Sequence, residues 1–141
     1  MSRKVLLSEI VDCLKSQGFV QSSSKQPLTF ESNVKYPSRL LPEKNDYAHF
    51  VVHTRIGSIQ IAAKYQQSNG TTIEKLAYTA LDAANSEHEH YLVVCAGPEL
   101  LKHNRAIDFL NSQKCIAPKL HALTVDDLSP YLSSYCGGKV A

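Results

Sequence analysis

The chain has 141 residues, of which 43% are hydrophobic and 20% are charged, a composition typical of one globular domain with a sizeable core. Its 15 basic and 13 acidic residues give a net charge of +2, which neither requires nor excludes a nucleic-acid partner. No apolar run approaches the roughly 18–20 residues of a membrane span. Glu9 and Asp12 interrupt the apolar start, so we expect neither a membrane segment nor a signal peptide.

The four cysteines are widely spaced and never form a CxxC pair: Cys13, Cys95, Cys115 and Cys136. This spacing is typical of reduced thiols in a cytoplasmic protein, so we expect that location and no zinc site. Cys13 and Cys95 are expected to lie in the core.

The first predicted element is a helix within residues 1–18. Its apolar residues fall at helical spacing, and Gly18 is suited to end it. These apolar residues are Leu6, Leu7, Ile10, Val11 and Leu14. Residues 19–45 are polar and contain three prolines, so we predict loops there, with a short strand around residues 28–30.

Two runs in the middle of the chain predict a β-hairpin. Residues 47–54 and 58–64 are the two strands, and residues 55–58 form the turn between them. A helix follows, because Thr71 or Thr72 can cap it and an apolar stripe continues at helical spacing. The stripe consists of Ile73, Leu76, Ala77, Ala80, Leu81 and Ala84.

The second half of the chain predicts alternating strands and helices. The continuous apolar run at 91–96 is typical of a central buried strand, and Gly97 with Pro98 opens a helix over 99–112. A strand at 120–125 and a helix at 126–132 complete an α/β domain with a mixed sheet. We predict one domain over residues 1–141, made of the first helix (1–18), a loop-rich segment (19–45), the core (46–132) and a tail (133–141).

Lys64 is unusual on the second arm of the predicted hairpin. Side chains alternate along a strand, so Gln60, Ala62 and Lys64 share one face, while Ile59 and Ile61 share the other. The isoleucine face is expected in the core, whereas a lysine is rarely buried without a partner or a task. Lys64 is therefore a candidate functional residue. The plain alternative is a lysine that extends from the strand end into solvent.

One segment resembles the PD-(D/E)XK nuclease superfamily of restriction endonucleases and small phage nucleases: HFVVHTRIGSIQIAAKYQQSNGTTIEKLAYTALDAA. Such sequences carry an Asp in one hairpin strand and Glu-x-Lys in the other, then an aromatic residue, Gln, a turn and a helix. The matching residues here are Lys64, Tyr65, Gln66 and Glu74. The resemblance implies a restriction-endonuclease-like fold, a mixed sheet flanked by helices, and a Mg²⁺-dependent DNA endonuclease.

Two positions depart from this pattern. The metal-binding Asp falls on His49, and the Glu of Glu-x-Lys falls on Ala62. The departure matters because Mg²⁺ needs hard oxygen ligands to activate water and neutralise charge on the phosphate. Lys64 can orient water or stabilise the transition state, but it cannot hold the ion. Three other acids are therefore candidate metal ligands: Glu9, Asp46 and Glu74.

The resemblance also implies roles for individual residues. Lys64 would be the catalytic lysine, Gln66 a polar residue lining the site, and Glu74 a carboxylate that has migrated to the helix. Each acid has a plain alternative: Glu74 stabilises the helix dipole, Asp46 is a turn residue and Glu9 lies on a solvated helix face.

Three basic residues are candidates for contacts with the phosphate backbone of DNA: Lys35, Arg39 and Lys44. DNA is the expected partner, and a homodimer is a further expectation because duplex cleavage commonly pairs two sites.

Two functions stay open: an endonuclease with an atypical or disabled site, and a non-catalytic module that binds nucleic acid or a partner protein. Loss of both expected carboxylates favours the second. Ala62 as an engineered replacement of Glu, or a site completed by another chain, are further alternatives.

Overall fold

The computed structural model describes residues 2–68 and 70–135, which form a six-stranded mixed sheet with helices on both faces. The strands are β1 (Val20–Gln21), β2 (Thr29–Pro37), β3 (Asn45–His53), β4 (Ser58–Tyr65), β5 (His90–Ala96) and β6 (Leu120–Leu123). The helices are α1 (Arg3–Ser16), α2 (Leu76–Ala84), α3 (Arg105–Asn111) and α4 (Val125–Tyr135). A single 3₁₀ turn precedes α2 (Ile73–Lys75) and another precedes α3 (Lys102–Asn104). The predicted tail beyond Tyr135 lies outside the described residues.

The strands follow one another across the sheet in chain order, from β1 to β6. β2, β3 and β4 pair antiparallel, whereas β4, β5 and β6 pair parallel, and β1 adds to β2 in parallel. β4 therefore joins the antiparallel half of the sheet to the parallel half. The predicted α/β class, with a restriction-endonuclease-like mixed sheet flanked by helices, is confirmed.

The side chains of β4 alternate between two apolar cores. Ile59, Ile61 and Ala63 pack in the core under α1 and α4. Ala62, on the opposite face, belongs to the core under α2 and α3. Burying each isoleucine contributes about 1.5–3 kcal/mol, so a slip of one residue in the register would be costly. This constraint fixes Lys64 on the face that turns toward α2.

α1 forms where the apolar spacing predicts it. The Ser2 hydroxyl accepts a hydrogen bond from the Val5 amide at 3.2 Å and caps the helix. Leu6, Ile10 and Leu14 are fully buried against the sheet. Gly18 ends the element with a φ of +95°, the left-handed conformation that glycine tolerates. Because the helix begins at residue 3, Arg3 lies in its first turn, next to β3.

The predicted loop-rich segment is wrong for residues 31–37. The short strand predicted around residues 28–30 is the beginning of the nine-residue strand β2, which pairs with β3 from Thr29, opposite His53, to Pro37, opposite Asn45. Its outer half is polar and largely exposed, so it lacks the apolar content that marks a buried strand. Pairing with the next strand, β3, specifies this strand, and the polar pattern of these residues does not record that pairing.

The predicted stripe of α2 is also partly wrong. Leu76 and Ala80 are buried, but Leu81 is 46% exposed and Asp82 is only 2% exposed. The helix is rotated so that a carboxylate faces the protein interior, which is possible only where donors satisfy that carboxylate. The predicted helix over 99–112 is shorter as well, because His103 adopts a left-handed conformation before α3 begins.

The described cysteines are free thiols. Cys95 is buried, and burial raises its pKa to about 12, while Cys13 packs at the edge of the core and Cys115 is exposed. The expected core position is thus confirmed for Cys95, and Cys136 lies outside the described residues. None of the helices within residues 2–68 and 70–135 has both the length and the apolar character needed to cross a bilayer.

Gly97 connects the ends of β4 and β5 by a close backbone approach. Its φ is +99°, and a Cβ at this position would lie 2.3 Å from the Gln66 carbonyl oxygen. Gly18 has a similar φ of +95°, but a Cβ there would meet nothing within 4 Å. The two glycines therefore separate the cost of the conformation from the cost of the contact.

We predict that Gly18→Ala lowers the free energy of unfolding by about 1–2 kcal/mol, the cost of a left-handed alanine. Gly97→Ala should cost clearly more, because the Gln66 backbone must also move. Urea denaturation of both variants measures the difference. Equal losses would contradict the role given to the Gly97 contact.

Candidate functional site

Two cavities meet at Lys64, near the end of β4. The inner cavity has a volume of about 110 Å³ and lies between the β2–β3 hairpin, β4, β5 and α2. Its polar lining is Tyr36, Asp46, Tyr47, His49, Lys64, Tyr78, Thr79, Asp82 and Tyr91, with Ala62 beside them. The cationic pocket, of about 180 Å³, is lined by Arg3, His49, Ala63, Lys64, Tyr65, Thr72 and Lys75. Lys64 and His49 line both.

The carboxylate of Asp82 is the acceptor for three donors in the inner cavity. Tyr36 and Tyr91 each donate a hydroxyl hydrogen bond to Oδ2, at 2.7 and 2.8 Å. The Arg39 guanidinium donates to Oδ1 at 3.1 Å and also lies 4.1 Å from the centre of the Tyr36 ring. Asp82 thus ties β2, the β2–β3 loop and β5 to α2.

The two tyrosines remain hydroxyl donors over the whole physiological range. Burial raises the pKa of Tyr36, and the hydrogen bond to Asp82 raises it further. Burial and the charge of Asp82 also raise the pKa of Tyr91 well above its ordinary value. Neither phenol can therefore act as a base, and both stay bound to the carboxylate.

Asp46, the other carboxylate in the inner cavity, also has protein partners on both of its oxygens. Lys44 forms an ion pair with Oδ1, and the Tyr78 hydroxyl donates to Oδ2 at 2.8 Å. Burial alone would raise the pKa of Asp46, but the hydrogen bonds from Lys44 and Tyr78 outweigh it and lower the pKa. Asp46 is therefore ionised at neutral pH and has donors on both oxygens.

Both nitrogens of the His49 ring face a donor. The Ala63 amide donates to Nδ1 at 2.9 Å, and the Arg3 guanidinium lies 2.6 Å from Nε2. Burial, with the charges of Arg3 and Lys64, lowers the pKa of His49 to about 4, so the ring is neutral at pH 7. A neutral imidazole carries one proton and accepts at one nitrogen only. In one of the two contacts, an N–H group of the ring therefore faces the N–H group of its neighbour.

The cationic pocket concentrates positive charge. Arg3 comes from α1, Lys64 from β4 and Lys75 from the 3₁₀ turn before α2. Burial lowers the pKa of Lys64, and the charges of Arg3 and Lys75 lower it further. Within residues 2–68 and 70–135, none of the three cations forms an ion pair with a carboxylate. Such a cluster is complementary to an anion.

The structure does not bring the three predicted metal ligands together. Asp46 lines the inner cavity. Glu74 instead lines a separate groove with Arg105 and Phe109, next to α3. Glu9 lies on α1 and lines neither cavity at Lys64, although its Oε1 atom is buried without a hydrogen-bond partner.

Gln66, predicted to line the site, is buried beside it and organises the loop after β4. Its amide donates to the Ser68 carbonyl at 2.9 Å, and its Oε1 accepts from the Ile73 amide at 3.2 Å. Gln66 therefore caps the 3₁₀ turn, whereas Thr72 makes no side-chain capping bond. This arrangement positions Lys75 at the cationic pocket.

The three basic residues predicted to contact DNA differ in their surroundings. Lys35 is exposed on β2. Arg39 pairs with Asp82, and Lys44 pairs with Asp46. The hydrogen bond to Asp46 raises the pKa of Lys44. Two of the three cations are thus engaged within the protein.

The chain belongs to the PD-(D/E)XK nuclease superfamily, because the family model described as a PD-(D/E)XK nuclease superfamily domain matches residues 1–133. The match confirms the resemblance found in the sequence. Among solved structures, protein VC1899 from Vibrio cholerae is similar, with a TM-score of 0.52 and 16% sequence identity. That match covers 97% of this chain and 33% of VC1899, so the chain spans about a third of that protein's length and the likeness shows the fold alone. No curated protein matches the chain.

Members of this superfamily generally use divalent metal ions such as Mg²⁺. The residues at this site do not fit such an ion. Asp46 and Asp82 already accept hydrogen bonds or ion pairs on both oxygens, and Ala62 offers no ligand. In the described parts of the chain, no group of three His, Cys, Asp or Glu residues is placed to hold a metal ion.

Sequence reasoning missed three residues that shape the site: Arg3, Lys75 and Asp82. Arg3 belongs to the first helix, and only the packing of α1 beside β3 brings it to His49. Asp82 is not part of the predicted apolar stripe of α2, and its partners lie 9, 43 and 46 residues away in sequence. A possible signal was the position of Asp82 two residues before Ala84, inside an otherwise apolar helical segment.

We predict that Asp82→Asn destabilises the fold by about 3–5 kcal/mol, because it removes the closer of the two carboxylates that pair with the Arg39 charge and leaves the exposed Glu87 at 4.0 Å. The exposed Asp12 on α1 provides the matched control, and Asp12→Asn should change stability by less than about 0.5 kcal/mol. Chemical denaturation followed by circular dichroism compares the two. A small effect at Asp82 would contradict its role in holding the inner cavity together.

Proposed function

We propose that this protein is a nuclease-fold module that binds DNA through the cationic pocket and does not cleave it. The observation that supports this proposal is the cluster of Arg3, Lys64 and Lys75, three cations from three elements without a carboxylate partner among the described residues. Phosphate groups are the anions that such clusters bind in nucleic acids. Lys64 keeps the position of the superfamily's lysine and contacts the phosphate directly.

The state of the acids supports binding without hydrolysis. Cleavage of a phosphodiester through a metal ion needs carboxylate oxygens with free coordination sites. Asp82 has three protein donors, and Asp46 has two. Releasing Asp82 to a metal would leave the Arg39 guanidinium with only the exposed Glu87 carboxylate, 4.0 Å away, and losing the closer partner costs several kcal/mol.

The remaining surface charge fits the same proposal. Lys35, exposed on β2, is a further cation that can contact the phosphate backbone. We also propose a cytoplasmic location, where the free thiols of Cys13, Cys95 and Cys115 stay reduced.

The second candidate function is the metal-dependent DNA endonuclease. One observation favours it: Asp46, Asp82 and Lys64 line the same cavity of about 110 Å³. For that function to hold, at least one of the carboxylates must exchange a protein donor for the metal. A single assay of DNA cleavage distinguishes the two candidate functions.

We predict that the protein binds duplex DNA with a strong dependence on salt and leaves a plasmid intact in Mg²⁺ or Mn²⁺. Lys64→Ala should weaken binding about tenfold or more and reduce the salt slope by about one, because one charged phosphate contact is lost. Lys15→Ala is the matched control, since Lys15 lies in the last turn of α1, about 18 Å along the helix from Arg3. Fluorescence anisotropy at several salt concentrations measures both effects.

Plasmid cleavage by the natural protein that Lys64→Ala abolishes would establish the endonuclease and overturn our proposal. Cleavage only after Ala62→Glu would show that the missing acid is the defect and would leave the binding proposal intact. If neither protein cleaves and no DNA binds in any form, the nucleic-acid assignment itself is wrong.

A further inference from the structure

An apolar groove adjoins the cationic pocket on the side of α1. Its volume is about 340 Å³, within the range of small-molecule sites. Leu7 and Val11 from α1 and Phe50 from β3 form its apolar surface. Ser8, Ser32 and Asn33 supply polar groups, and Arg3 and His49 line both the groove and the pocket. The groove and the cationic pocket are therefore adjacent and share two lining residues.

Arg3 and His49 meet at the boundary between pocket and groove, where the Arg3 guanidinium lies 2.6 Å from Nε2. The ring also receives the Ala63 amide at Nδ1, and a neutral imidazole accepts at one nitrogen only, so the ring does not satisfy both donors. An anionic oxygen placed at this boundary accepts from the Arg3 guanidinium and also faces the ammonium groups of Lys64 and Lys75.

Asn33 of β2 lines the same groove. Its φ is +53°, a left-handed conformation inside β2, between the paired residues Ser32–Phe50 and Val34–Ala48. Non-glycine residues in this conformation store strain, and such strain concentrates at ligand sites. The distortion places an amide side chain, which can both donate and accept, on the groove that receives the ligand.

We propose that the cationic pocket and the apolar groove together bind one nucleotide with a terminal phosphate and an unpaired base. The inference rests on the proposed DNA binding and names the part of the nucleic acid that the site takes. The phosphate lies between Arg3, His49 and Lys64, and the base enters the groove. A paired base cannot enter, because its hydrogen-bonding edge is held by the other strand, whereas a free base can stack and bond to polar side chains.

Two sources present this chemistry: a free nucleoside monophosphate and the end of a single strand. Both carry a terminal phosphate next to an unpaired base. A short labelled single strand with a terminal phosphate is the probe, and adenosine monophosphate and inorganic phosphate serve as competitors. A strand that competes much better than the monophosphate identifies the strand end as the ligand, and equal competition identifies the free nucleotide.

We expect the phosphorylated single strand to bind about ten- to a hundredfold more tightly than the same strand without its phosphate, or than a blunt phosphorylated duplex. Arg3→Ala should remove this preference, whereas Lys102→Ala, an exposed cation on the turn before α3, should keep it. Anisotropy titrations with the full chain measure both.

The groove is tested separately with Ser8→Tyr, which fills it from the exposed side of α1, and with Ser134→Tyr on α4 as the control. We expect about tenfold weaker binding for the first and no change for the second. Asn33→Gly keeps the left-handed backbone while removing the amide, so it provides a second groove variant if Ser8→Tyr does not fold. In addition, inorganic phosphate should shift the ring resonances of His49 in NMR spectra.

Equal binding of the blunt duplex and the phosphorylated single strand would overturn this inference while leaving the proposed DNA binding in place. Normal binding by both Ser8→Tyr and Asn33→Gly would also overturn it. Binding of the monophosphate alone, with a shift of His49, would support the nucleotide site and contradict DNA as the partner. Absence of binding by every probe would overturn both proposals.

Discussion

The buried carboxylate of Asp82 is the constraint on which the site depends. Removing an ion from water costs several kcal/mol, and the carboxylate is stable here only because Tyr36, Tyr91 and Arg39 donate to it. These donors come from β2, β5 and the loop between β2 and β3. The network therefore fixes the hairpin against α2 and closes the inner cavity. It also engages one of the two carboxylates that line the inner cavity together with Lys64.

With its acids engaged, the site is dominated by its cations. Burial lowers the pKa of Lys64, and the positive charges of Arg3 and Lys75 lower it further. Such repulsion lowers stability unless an anion compensates for it. The neutral His49 stands where the resemblance places a metal-binding Asp, and it presents a ring nitrogen beside Arg3 instead of a carboxylate oxygen. The fold of the superfamily thus carries a site whose charge has the sign suited to phosphate rather than to a metal ion.

Much of the fold follows from local patterns. The alternation along β4 and the spacing of Leu6, Ile10 and Leu14 are recorded in the sequence itself, because each reflects the burial of one face of one element. The orientation of Lys64 toward α2 follows from the same alternation.

The rest of the site depends on contacts between distant segments. β2 is polar along its outer half, and pairing with β3 determines it. Asp82 could not be placed in the interior, because its donors belong to other elements. Arg3 and Lys75 reach the pocket only after α1 packs on the sheet and Gln66 caps the turn before α2. Local periodicity contains none of this information.

A crystal structure of the protein grown with MgCl₂ and a short, terminally phosphorylated DNA strand would test the charge assignment most directly. We predict a phosphate oxygen within hydrogen-bond distance of Arg3 and Lys64, with Asp82 still bound by its two tyrosines and Arg39. A magnesium ion coordinated by Asp46 or Asp82, with its protein donors displaced, would contradict it.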